Sequence, residues 1–201
     1  MIVTSLGEGI PEALAATEQL GVEGGLEKKQ ILQLRLLAEE LFSLLHSIAG
    51  EVKAEYLPGR DGKAYSLALC SDIMLTREMR DQFIAFSTSG ENAAAKGFMG
   101  KIREMIATAL LPNDSGTGIL SGLSLGLMSM ASPSAQKAGT DTLMWSMKQY
   151  KDEVGSRRGE DGAADSAWDE LERSIVASIA DEVSVRVTGS LVEIRIDKDF
   201  S

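Results

Sequence analysis

Glu39 and His46 are the residues of this chain best spaced for proton chemistry. Seven positions apart on a helix, they fall on one face, and His46 is the only histidine in the sequence. A histidine on a core helix serves equally well as a hydrogen-bonded packing residue. Glu39 also stands four residues after Arg35, the spacing of a helical ion pair on a solvated face. Acid–base work and plain pairing are therefore both open to it. No Ser/His/Asp arrangement is readable, and Cys70, the single cysteine, excludes an internal disulfide and any zinc set built on several cysteines and histidines. Two glycine-rich stretches invite comparison with phosphate loops. Gly116, Gly118, Gly122 and Gly126 are joined by no lysine and no clear preceding strand. In residues 87–103 (STSGENAAAKGFMGKIR), small residues lead into a helix carrying Lys96, Lys101 and Arg103. A helix start with nearby bases can hold an anion, and the same pattern suits a helix–helix turn packed closely at Gly97 and Gly100. Met128, Met130, Met144 and Met147 suit core filling or an adaptable contact surface.

The elements that must position these residues belong to an ordinary globular chain. Of 201 residues, 44% are apolar and 25% charged, which argues against disorder throughout. Thirty acids against twenty bases leave a formal charge of -10. That balance, with the bases scattered, argues against nucleic acid as a ligand, since phosphate binding needs clustered Lys and Arg. A lone cysteine fits a reducing cytoplasm. Glu8, Glu12 and Glu18 with no base among the first twenty residues argue against a signal peptide. The stretch 118–131 is too short and too rich in Gly and Ser to span a bilayer, so a soluble cytoplasmic protein with no membrane attachment is expected.

Along the chain, Pro11–Leu20 reads as a short helix stopped by Gly21. Residues 26–49 read as a longer one, with Leu34, Leu37, Ala38, Leu41, Leu45 and Ile48 as its apolar stripe. Residues 52–57 and 64–74 predict two strands around a turn at Pro58–Lys63. The second has apolar residues on both faces, as a central strand does. Thr76 and Asn92 are helix caps for segments reaching Phe86 and Leu110, with residues 87–90 as the break. Residues 113–140 read as a mobile or partly helical insertion in a single domain. Residues 142–154 predict a helix, 155–162 a charged linker, and Asp165 caps a last helix burying Trp168, Leu171, Ile175, Val176 and Ile179. Val183, Val185 and Val187, then Val192, Ile194 and Ile196, predict a closing hairpin across Thr188-Gly189-Ser190. At least four antiparallel strands with too few helices to cover both faces give an α+β fold, a two-layer sandwich with helices on one face.

This order, with local sequence at both ends, resembles the ATPase domain shared by histidine kinases and the anti-sigma-factor Ser/Thr kinases. The similarity lies over residues 10–75 and 165–200. It is carried by the first helix and its Leu20-Gly21 break, by LRLLAEELFSLLHSI (34–48), and by IVASIADEVSVRVTGSLVEIRIDKDF (175–200) with its Asp181-Glu182-Val183 junction. The family's first box pairs a catalytic Glu with a magnesium-ligating Asn one turn later. Here Glu39 is followed by Ser43, a feeble ligand, and in the other register Glu40 is followed by Leu44, which is none. The second box implies Asp72 as the acceptor for the adenine amino group, but its glycine places hold Met74 and Thr76. Asp72 is equally suited to starting the next helix. The third, glycine-rich box falls near Glu170 and Glu172, whose carboxylates would repel a triphosphate. An upstream shift would bring Gly155, Gly159 and Gly162 there, beside Arg157 and Arg158.

The resemblance thus implies a scaffold whose nucleotide motifs have decayed, a regulatory protein that binds another protein without catalysis and holds no cofactor, with 113–140 as a contact. The alternative it implies is an ATP- and magnesium-binding protein or Ser/Thr kinase, with Glu39 as base, Ser43 at the metal position, Asp72 on adenine, and Lys96 or Lys101 compensating for the lost glycines. A structural homodimer is the third expectation.

Overall fold

The computed structural model describes residues 1–46, 52–73, 102, 106, 110, 142–160 and 162–201. They form a two-layer α+β sandwich. One antiparallel sheet has the order β1-β2-β3-β6-β5-β4, with β1 Ile2–Thr4, β2 Lys53–Asp61, β3 Ala64–Asp72, β4 Thr142–Ser146, β5 Glu182–Thr188 and β6 Leu191–Asp199. Over one face lie α1 (Ile10–Glu23), α2 (Lys28–His46), α3 (Met147–Ser156), α4 (Gly162–Arg173) and α5 (Ile175–Ile179).

The pleat explains this one-sidedness. Ala54 and Tyr56 of β2, Tyr65, Leu67 and Leu69 of β3, Val183, Val185 and Val187 of β5, and Val192, Ile194 and Ile196 of β6 are buried together with Leu34, Leu37, Ala38, Leu41 and Leu45 of α2. Ile102 and Ile106, both helical, join the same core, and helical Leu110 packs against it. Alternate strand residues turn to the opposite face. Ala68 is buried there, outside that core.

β3 and β6 are the two central strands, as the apolar character of β3 predicts. The closing hairpin turns at Gly189-Ser190, between the paired Thr188 and Leu191. Elsewhere the boundaries move for identifiable reasons. β2 runs through Pro58 and Gly59 to Asp61, so the first hairpin turns at Gly62-Lys63 rather than across Pro58–Lys63, with Gly62 at φ 60. Pro58 lies beyond the reach of β1, where β2 has one neighbour only, the situation in which a strand tolerates proline. α1 passes through Gly21 to Glu23; Gly21 is buried because the Ile31 side chain of α2 crosses it, and a Cβ there would sit 3.1 Å from Ile31 Cγ1. β3 ends at Asp72.

The predicted helix over 142–154 is two elements. Thr142–Ser146 pairs with β5, and Ser146 then caps α3, its hydroxyl accepting from Gln149 N. The predicted last helix is also two. Ser174, extended at ψ 122, ends α4 and caps α5 by accepting from Ala177 N, so Ile175 is 48% exposed rather than buried. Asp165 lies inside α4 and accepts from Gly159 N instead of capping it. The three-residue β1 has no counterpart in the sequence-based expectation. The segments read from Thr76 and Asn92, the insertion 113–140 and the α2 continuation through Ile48 lie outside the described residues, apart from Ile102, Ile106 and Leu110.

Candidate functional site

Glu39 and Ser43 sit one turn apart on the outward ridge of α2, both exposed. Buried residues on either side of that ridge turn it away from the sheet. Glu39 accepts from Arg35 Nε at 2.9 Å, and the same guanidinium bonds Glu18 of α1. Arg35 thus ties the two helices together, its basicity raised first by the hydrogen bond it donates to Glu18 and then by the one it donates to Glu39. The pairing of Arg35 with Glu39 is the one their spacing predicts. Glu18 is a third member that local spacing does not reveal, since it lies on another helix. His46, one turn past Phe42, places Nδ1 3.0 Å from the Phe42 carbonyl oxygen.

Asp72 is exposed at the end of β3, paired across to Leu191 of β6. It shares its parity with Ala64, Ser66, Ala68 and Cys70, so the pleat directs it to the face opposite Tyr65, Leu67, Leu69 and the helices. The sheet therefore separates Asp72 from Glu39 and Ser43. Cys70 lies in the same row, paired with Glu55 on one side and Glu193 on the other. Burial first, then Glu193 and Glu55, push its thiol pKa up, which opposes thiolate formation.

Glu170 and Glu172 lie in the last turns of α4, a place where the chain is already helical and offers no free loop of backbone N–H groups. Glu172 accepts from Trp168 Nε1 at 2.6 Å. Trp168 in turn packs on Gly155, where a Cβ would lie 3.1 Å from its ring, and carries Arg158 5.0 Å above its face. Gly155 and Arg158 thus serve a contact between α3 and α4, while Arg157 pairs with Glu153 of α3.

The Asp181-Glu182-Val183 junction has a structural explanation of its own. Asp181 accepts from Lys198 Nζ at 2.8 Å and from Asp199 N at 2.6 Å. Partial burial raises its pKa, but those two bonds outweigh it and hold the carboxyl below its ordinary value. Glu182 accepts from Ser146 Oγ at 2.9 Å and Lys148 N at 3.2 Å, fastening the start of α3 to β5. Together the two carboxylates clamp the end of β6 and the β4–α3 corner onto one strand.

Among the described residues no group of three or more His, Cys, Asp or Glu could hold a metal ion, and no helix is long and apolar enough to cross a membrane. Lys96, Lys101 and the glycines of 116–126 lie outside those residues. No family model, curated protein or solved structure matches the chain.

Proposed function

We propose that the chain is a non-catalytic regulatory protein that binds another protein on a scaffold similar to that of the histidine-kinase-type ATPases. The observation that carries this proposal is the engagement of Glu39. A carboxylate that activates a hydroxyl must be oriented toward it, and this one has Oε1 held by an arginine cation that also holds Glu18, which fixes its orientation toward Arg35 instead. Ser43 in the metal position and the helical setting of Glu170 and Glu172 point the same way. The clamp at Asp181 and Glu182 accounts for the most family-like stretch of sequence by stability alone.

Thermal denaturation with and without millimolar Mg-ATP tests the proposal. A nucleotide at a hundred times its dissociation constant adds roughly 2.7 kcal/mol to the folded state, a rise of several degrees. No rise is expected. A rise removed by Asp72→Asn would replace the proposal with a working nucleotide site.

A further inference from the structure

We draw no further inference here: the strongest candidate, the row of Glu55, Cys70 and Glu193 across β2, β3 and β6 on the sheet face turned away from the helices, is a lone cysteine in an acidic patch, and nothing in the structure shows what covers it.

Discussion

Tyr56 and Tyr65 stand on adjacent strands, face the same helical layer and are 0% and 2% exposed, yet their hydroxyls are treated in opposite ways. Thr17 of α1 donates its proton to Ala13 O at 2.8 Å, so the 2.7 Å contact between Thr17 Oγ1 and Tyr56 Oη must use the tyrosine proton. Tyr56 also sets its ring edge-on to Phe42 of α2, centroids 4.9 Å apart. It therefore joins α1, α2 and β2 at one point. Tyr65 packs edge-on to Phe200, but its hydroxyl has no hydrogen-bond partner among the described residues. It fills the space that Gly24 leaves by lacking a side chain; a Cβ on Gly24 would lie 1.7 Å from that oxygen. The same residue type acts as a polar pin at one end of the layer and as a shaped filler at the other.

The largest effect should come from emptying the pin. Tyr56→Ala should destabilise the fold by about 3–5 kcal/mol, the cost of deleting a buried aromatic ring, as read by urea denaturation. Gly24→Ala should cost about 1–3 kcal/mol by overpacking, although its φ of -77 suits alanine. Part of that loss should return in the Gly24→Ala/Tyr65→Phe double variant, because the clashing oxygen is gone. Full additivity in that cycle would show the two sites to be independent.

A third contrast is in alkali. Burial pushes Tyr56 up to about 12; its bond to Thr17 opposes this only where Thr17 turns its proton from Ala13 O to the phenolate. A folded-state pKa above the unfolded value of about 10 keeps stability intact below pH 10 and erodes it as pH climbs toward 12. The loss should be roughly 1.4 kcal/mol per pH unit over that window, measured by melts at stepped pH, and absent in Tyr56→Phe. The smallest contrast is between the two hydroxyl deletions near neutral pH. Tyr56→Phe should cost about 1 kcal/mol, and Tyr65→Phe within about 0.5 kcal/mol of zero or slightly stabilising, since nothing is lost but a desolvated oxygen. Equal costs would break the comparison.

What was legible in the sequence follows the range of the forces involved. The hairpins over β2–β3 and β5–β6 show in alternation, because two adjacent strands with one buried face write it directly into neighbouring residues. The buried stripe of α2 and the Arg35–Glu39 pair are equally local. β1 and β4 are short, and their strand character comes from the neighbours they pair with, which composition does not display. The helix break at Ser174 was hidden by an unbroken apolar periodicity. At the candidate site, the position of Glu39 was readable, but Glu18 reaches Arg35 from 17 residues away, and Thr17 meets Tyr56 across 39. Asp72 reads as a strand end, and its face follows from its parity with Ala68 and Cys70 once β3 is known to run unbroken to it.

The order of strands also bears on how the chain is made. β6 is the last strand in the sequence but a central one in the sheet, pairing with β3 over nine positions and β5 over seven. On the ribosome, the half-sheet β1-β2-β3 emerges long before it has its inner neighbour, leaving the edge of β3 and its apolar face open through the synthesis of more than a hundred further residues. The nascent protein must wait for its final strand to close the seam.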